Sequence, residues 1–203
     1  MNNRQSNTPS LSTRRLILRR FTPADVPELY AIFHNPEVTR FVPWHLKTMD
    51  EAQAFYTQRY EPIYRQPLGC AYAVCLKDSG KVIGYVNTNM EPPYDFGYGY
   101  KKEAWGQGYA SEAARAIAAW LKEAGLPYIT ATHDVENPHS GWVMRAMGMT
   151  YRYTYHENWQ DGSWVWFRMY QLDLNGEHTT YRGYWDKYPE HMVEKIEEMR
   201  DEN

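Results

Sequence analysis

The sequence predicts an α+β domain whose mixed sheet is flanked by helices, and three observations carry that prediction. Stretches of period 2 and period 3.6 follow one another in the order β-α-α-β-β-β-α-β-α-β-β, which mixes hairpins with crossovers and argues against an all-parallel sheet. Two junctions, Lys77-Asp78-Ser79-Gly80 and Gln160-Asp161-Gly162, are polar turns between β-branched and aromatic runs, so each closes an antiparallel hairpin. One strand, Phe96 to Tyr100, runs through a glycine turn into an alanine-rich helix.

Each element has its own signal. Leu16 and Leu18 alternate against arginines from Arg14 to Arg20, as in a half-buried first strand. Thr22-Pro23-Ala24-Asp25 reads as a helix start, followed by the 3.6-residue stripe Val26, Leu29, Tyr30 and Phe33, and Asn35-Pro36 is expected to stop it. After the apolar loop Phe41 to His45, Thr48 and Glu51 form a capping box for a second helix. Gly69 to Leu76 and Lys81 to Thr88 make the first hairpin. The central helix carries Ala110, Ala113, Ala114, Ile117, Ala118 and Leu121 on one face and ends at Gly125 and Pro127. Tyr128 to His133 is a strand, and Asn137-Pro138 opens a short helix closed by Gly148. Tyr151 to Tyr155 and Trp164 to Leu172 make the second hairpin, and Pro189 to Met199 is expected to be helical.

A chain of 203 residues suits one domain, with residues 1–11 as a flexible, Asn/Gln/Ser-rich start, 12–174 as the domain and 175–203 as an aromatic extension. The formal charge of −3 lacks the basic footprint of a nucleic-acid binder. No apolar run approaches the roughly 20 residues of a membrane span, and the polar start does not read as a signal peptide. Cys70 and Cys75 are an odd number of residues apart, so on one strand they face opposite sides, which fits neither a disulfide nor a shared metal site and suggests a reducing cytoplasm. His133 and His139 flank a strand-to-helix junction without a cysteine partner, so no metal site is expected.

The stretch from Phe96 to Ala113 carries the chemistry. Glycine lets a backbone approach a bulky anion, and a helix N-terminus presents unpaired N–H groups to it, so Gly106-Gln107-Gly108 before the alanine-rich helix is a candidate phosphate cradle. Neither Gly97-x-Gly99 nor Gly106-x-Gly108 completes the dinucleotide pattern GxGxxG, and no GxxxxGK[ST] exists. A plain tight turn into a helix stays open on the glycines alone.

The surroundings resemble a known family. Trp105-Gly106-Gln107-Gly108-Tyr109-Ala110-Ser111-Glu112-Ala113 is similar to the acyl-CoA pyrophosphate loop of the GNAT N-acetyltransferases, especially the RimJ/RimL branch that acetylates ribosomal-protein N-termini. Trp105 stands where the general pattern has glutamine or arginine. Thr13 to Arg19, Val82 to Tyr85, and Asn137 to Ser140 with Met147-Gly148-Met149 resemble further segments of that branch, in the same order. The resemblance implies a mostly antiparallel twisted sheet of about seven strands, with acyl-CoA in a splay between the fourth and fifth. It implies that Gly106 to Ser111 with Trp105 seat the pyrophosphate, that Gly99, Tyr100 and Lys101 contact the acetyl-pantetheine arm through main-chain atoms, and that Asn137 bonds the pantetheine. Gly97 and Gly99 suit a bulge in that strand.

The implied reaction is direct attack of a primary amine, on a protein N-terminus or a small molecule, upon the acetyl-CoA thioester. Met144 occupies the place where many relatives carry a proton-donating tyrosine, which leaves Ser140 to protonate the thiolate. Asparagine and serine at these positions equally read as caps of a short helix. An α-amine, with pKa about 7.8 against about 10.4 for lysine, needs less help from a base. Glu157 is the first candidate base, followed by His133 and Asp134, whereas Glu112 reads as a charge complementing the helix dipole. Trp44, His45, Tyr153, Tyr155, Trp159, Tyr181, Tyr184 and Trp185 either close the core or a homodimer contact or recognise the acceptor. The tail after Leu174 is expected to fold back over the acceptor cleft or onto a second subunit. A non-catalytic acyl-CoA sensor is the alternative reading, with Met144 as its best argument.

Overall fold

The computed structural model describes residues 7–159 and 162–196. All seven expected strands are present, arranged in two antiparallel sheets. The first sheet runs β1-β2-β3-β4-β5, from Leu11–Ser12, Leu16–Arg19, Cys70–Leu76, Val82–Thr88 and Phe96–Tyr100. The second runs β6-β8-β7-β9, from Tyr128–Asp134, Trp164–Asp173, Thr150–Asn158 and His191–Met192. A single parallel bridge, Asp95 to Thr130, joins the two. Beyond it β5 and β6 diverge.

The central strands β3 and β4 are buried because helices cover both faces. On one face α5 (Tyr109–Glu123) presses Ala113, Ala114, Ile117 and Leu121 onto Leu16, Leu18, Tyr72 and Val86. On the other, α1 (Val26–Phe33) and α3 (Met49–Phe55) pack Leu29, Phe33 and Ala52 against Ala71, Ala73 and Tyr85. Cys70 belongs to the first core and Cys75 to the second, both as free thiols, as their odd spacing requires.

Local chemistry sets the boundaries. The Asp25 carboxylate accepts from the Thr22 N–H at 2.8 Å and pairs with Arg19, closing a 3₁₀ turn (Pro23–Asp25) ahead of α1. Asn35 does not simply end α1. Its side chain accepts from the Glu37 N–H and caps a second short helix, α2 (Pro36–Thr39). Thr48 caps α3 through Glu51 N–H, but the Glu51 carboxylate reaches Lys47 N–H, one residue earlier than a capping box would place it. A π-helical turn, Tyr56–Tyr60, follows before α4 (Glu61–Tyr64).

Two expectations at the ends are corrected. Of the start expected to be flexible, residues 1–6 lie outside the described residues, and from Asn7 on it is docked: the Thr8 N–H and hydroxyl both donate to Gly69 O, and Asn7 Nδ2 donates to Ile63 O. Residues 189–196 are not helical. His191–Met192 adds an edge strand to β7, because the free N–H and C=O groups of that edge outweigh local helix propensity; residues 197–199 of the expected helix lie outside the described residues, as do Gln160 and Asp161 of the second hairpin turn. The preceding segment, with α7 (Gly183–Lys187), lays Tyr181, Tyr184, Trp185 and Tyr188 over Tyr153, Tyr155, Phe167 and Met169. No helix among the described residues is long and apolar enough to cross a membrane.

Candidate active site

The divergence of β5 and β6 leaves one edge of β5 without a partner strand, and the ladder dictates which groups it exposes. Asn89 N–H donates to Asp95 O and Lys101 N–H donates to Ile83 O. Hydrogen-bonded pairs alternate along an antiparallel ladder, so residues 95, 97, 99 and 101 turn their backbone groups to β4. Phe96, Tyr98 and Tyr100 turn theirs to the splay. This corrects the expectation for Gly99, whose main-chain groups face β4, and for Lys101, whose N–H goes to Ile83 O and whose carbonyl accepts from Ala104 N–H; Tyr100 alone of the three faces the opening. Nor is there a bulge, since the register from Gly84↔Tyr100 to Thr88↔Phe96 is unbroken. Gly99 is glycine for another reason: a Cβ there would stand 2.6 Å from the Tyr85 ring. Gly84 and Tyr100 repeat the same exchange on the opposite pair, with a Cβ at Gly84 only 2.4 Å from the Tyr100 ring.

At the end of β5 the chain turns through Gly106 (φ 70°) and Gly108 (φ 73°), both left-handed. Glu112 N–H makes the first intrahelical bond of α5, to Gly108 O, leaving the N–H groups of Tyr109, Ala110 and Ser111 without intrahelical partners. Gly108 supplies no side-chain cap that would occupy them. The loop is braced from outside: Gln107 O accepts from Arg15, Gln107 Nε2 donates to Glu103 O, and the Arg15 guanidinium lies 4.4 Å over Tyr109. Trp105 donates its indole N–H to Tyr100 O at 2.9 Å and keeps its ring outside, so it anchors the loop to the strand end.

Glu112 is structural. Burial alone would raise its pKa, but hydrogen bonds from Thr13 Oγ1, Arg15 N–H and Arg15 Nε hold it down to about 2. It ties the entrance to β2 onto the first turn of α5.

Across the splay, α6 (Pro138–Ala146) begins with Asn137, whose side chain accepts from Ser140 N–H at a long 3.4 Å, the capping role. Ser140 Oγ lies 2.8 Å from the Tyr98 hydroxyl, which also donates to Ser140 O at 2.8 Å. Tyr98 therefore joins the open strand to the start of α6. Burial pushes its phenol well above the usual range, with the Ser140 bond opposing, so it stays protonated at neutral pH. Met144 is in the core, not the cleft. His133 turns under α6 as well: its Nδ1 sits 2.7 Å from Asp134 O, a Cβ on Gly141 would meet its Nε2 at 2.7 Å, and burial lowers its pKa. A neutral imidazole so enclosed cannot reach an acceptor on the opposite face, which removes it from the candidate bases.

The opposite face carries the carboxylates. Asp95 sits at the vertex of the splay, on the same side of β5 as Gly97 and Gly99. Burial raises its pKa to about 6, and no hydrogen-bond donor reaches its carboxylate among the described residues. Its charge acts on the phenols of Tyr155 and Tyr184, beside Thr132 of β6. Glu157 lies further out on β7, where its carboxylate accepts from Tyr188 OH and lines a cavity of about 290 Å³ with His156, Trp164 and Lys187. Tyr155 stacks on both Tyr184 and Tyr188 at 5.0 Å, linking the two carboxylates through the tail. Sequence reasoning passed over Asp95 and Tyr98. The legible signal was position: both lie in or next to the strand that leads into the glycine turn.

A family model described as an acetyltransferase (GNAT) domain matches residues 15–150. The N-acetyltransferase YnaD of Bacillus subtilis is 30% identical over 143 residues, 68% of this chain and 81% of that protein. The N-acetyltransferase YoaA of the same organism is 28% identical over 147 residues, 69% of this chain and 82% of that one. Among solved structures, RimL, a ribosomal L7/L12 α-N-protein acetyltransferase in complex with coenzyme A, aligns with TM-score 0.74 at 17% identity over 83% of this chain and all of that chain. A GNAT-family acetyltransferase from Bacillus anthracis aligns with TM-score 0.72 at 22% identity over 82% of this chain and 99% of that one. The chain belongs to the GNAT acetyltransferase family and is an N-acetyltransferase.

Proposed function

We propose that the protein transfers the acetyl group of acetyl-CoA to a primary amine, on a protein N-terminus or a small molecule, by direct attack. One observation carries this reading: the free edge of β5 runs straight into a left-handed glycine turn whose helix offers unpaired N–H groups. That line of donors suits an extended amide-bearing arm ending in a pyrophosphate. The N–H groups of Tyr109, Ala110 and Ser111 take phosphate oxygens at the positive end of α5. Tyr98 presents its backbone groups to the pantetheine amides, and the Tyr100 N–H, whose carbonyl is already taken by the Trp105 indole, holds the thioester oxygen as negative charge develops on it. Acetyl-CoA supplies the activated acyl group.

Asp95 is the base. With a pKa of about 6 it is ionised at neutral pH yet close enough to that pH to take a proton from the neutral amine as its nitrogen bonds to the carbonyl carbon. Glu157, reached through Tyr155 and Tyr184, is an outer carboxylate rather than the first acceptor of the proton. Ser140 donates to the departing thiolate, held in place by the phenol of Tyr98. The C–N bond forms, the C–S bond breaks, the amine proton goes to Asp95, and the thiolate takes a proton through the Ser140 hydroxyl, which regains one from solvent in the same step. Holding amine and thioester together supplies much of the rate, about 7–11 kcal/mol at best.

The loop assignment is tested by Gly108→Val. Valine is strained at φ 73°, and its Cβ would sit 3.5 Å from Arg15 Nη2. Acetyl-CoA affinity should fall at least about tenfold, the equivalent of about 1.4 kcal/mol, while the circular dichroism spectrum stays native. Unchanged affinity would refute the phosphate seat.

A further inference from the structure

A cavity of about 520 Å³ opens on the acceptor face of the first sheet, lined by Trp44, Phe55, Arg59, Ile63 and Asn87 among others. Its volume falls within the range of about 300–1,000 Å³ typical of small-molecule sites. The π-helical turn Tyr56–Tyr60 aims Arg59 into it, and such turns mark functional positions more often than regular helix does. The Arg59 guanidinium lies 3.9 Å over the indole of Trp44 and 5.7 Å from Phe55, a stacked, pre-oriented fork. No carboxylate pairs with it among the described residues, whereas Arg15, Arg19, Arg152 and Arg168 each have one. Asn87 Oδ1 is buried with no hydrogen bond of ordinary geometry, and the equally buried Tyr60 hydroxyl is the polar group beside it. A stacked cation and a buried amide thus share one pocket, walled by Trp44, Phe55 and Ile63 on one side and by polar groups such as Thr88 and Asn89 on the other.

The pocket adjoins the splay. Asn87 pairs directly with Gly97, over which a Cβ would meet nothing within 4 Å. The Tyr85 ring spans from Gly99 toward the pocket: burial raises its phenol pKa, and the Arg59 charge stands near enough to oppose that. An acceptor amine brought to Asp95 at the splay therefore has open floor at Gly97 on the way to Arg59.

We infer that Arg59 and its pocket anchor an oxyanion, carboxylate or phosphate, on the same small molecule whose amine is acetylated. This rests on the reading of the splay as the acetyl-CoA site. The substrate class is an amine bearing its own anionic group: Arg59 grips the anion bidentately, Asn87 Oδ1 accepts an N–H, and Asp95 takes the amine proton.

The test compares acceptors that differ only in the anion: L-phenylalanine against L-phenylalaninamide, and phosphoethanolamine against ethanolamine. In the wild type, kcat/KM should favour the anionic member of at least one pair by about tenfold or more, and the pair that shows it distinguishes carboxylate from phosphate. In Arg59→Gln the ratio within each pair should collapse toward unity, and Arg59→Lys should keep part of it. Acetyl-CoA binding to Arg59→Gln, measured by calorimetry, checks that the fold and donor site are intact. Titrating the same anionic amines without acetyl-CoA and following tryptophan fluorescence, with Trp44→Phe to assign the signal, reads binding apart from turnover. Equal rates within both pairs, a preference that survives in Arg59→Gln, or a C-terminally amidated tetrapeptide outperforming every small anionic amine would overturn the inference. Binding that depends on Arg59 without turnover of any amine would instead count against the acetyl-transfer reading and leave the anion pocket standing.

Discussion

At the strand junction, Asp95 is the residue on which the proposed proton transfer turns. It follows Tyr94, whose carbonyl accepts the Thr130 N–H at 3.3 Å at the bridge where the sheets part. Among the described residues no hydrogen-bond donor reaches its carboxylate, while rings such as those of Tyr155 and Tyr184 stand near it, so the half-buried group feels desolvation without compensation and its pKa rises. Its folded-state pKa of about 6 lies above the ordinary 3.8, so the fold is favoured below 3.8 and loses that stabilisation as pH rises through 6. Asp95→Asn should therefore raise Tm at pH 8 while lowering kcat by about 10²–10⁴, and the acid limb of the wild-type kcat/KM profile should turn over near 6. A variant with full activity and an unchanged profile would remove Asp95 from the mechanism. In sequence, Asp95 sits behind Pro92 and Pro93 and looks like a loop polar residue; only the pairing of Asp95 with Thr130 places it at the vertex. His133, by contrast, invited a catalytic reading from sequence, and which side of β6 it occupies decides against it.

Among elements, α5 was the most legible, because five of its buried residues repeat at helical spacing and Gly125, at φ 90°, closes it. The two short edge strands were not legible: two residues cannot show alternation, and their pairing is decided by a neighbour's free edge. The π-helical turn was equally silent, since its residues fit an ordinary helix until tertiary packing fixes the extra residue. The start of α5 also reveals an element-level contact that no local pattern announces, Glu112 bound to Thr13 and Arg15 from across the sheet. Its folded-state pKa lies below the model-peptide value of 4.5, so its stabilisation is complete above 4.5 and is lost as pH falls toward 2. Glu112→Gln should cost about 2 kcal/mol at pH 7, the scale of charge-assisted hydrogen bonds, and should flatten the acid limb of the stability profile. Denaturant titrations at pH 7 and pH 3 measure both; equal losses at the two pH values would contradict the assignment.

At the scale of the molecule, the hairpin sheet and the crossover sheet are two halves held apart on purpose by packing. α5 fills one side of the junction, and the tail with the late hairpin closes the second sheet's free face. The aromatic excess of the sequence after Tyr151 resolves into that closure: Tyr153 donates to Tyr181 O at 2.9 Å, and Tyr184 stacks on Tyr155 within reach of the charge of Asp95. Whether those rings were core or recognition could not be read from composition, because the answer lies in which sheet face the tail covers. Truncation after Leu174 should expose Tyr153, Tyr155, Phe167 and Met169, lowering stability by about 3 kcal/mol or more and raising KM for the amine while acetyl-CoA still binds. An unchanged denaturation midpoint with unchanged kinetics would show the tail to be dispensable.

The central claim is that the splay and its glycine turn hold an activated acyl group for attack by an amine. Its most direct test is release of free CoA thiol from acetyl-CoA, followed against a panel of small amines, anionic amines and N-terminal peptides in wild type and Gly108→Val. The account predicts saturable, amine-dependent release in the wild type and loss of it in the variant, with acetylated amine formed in equal amount. Saturable acetyl-CoA binding with no thiol released for any acceptor would contradict it.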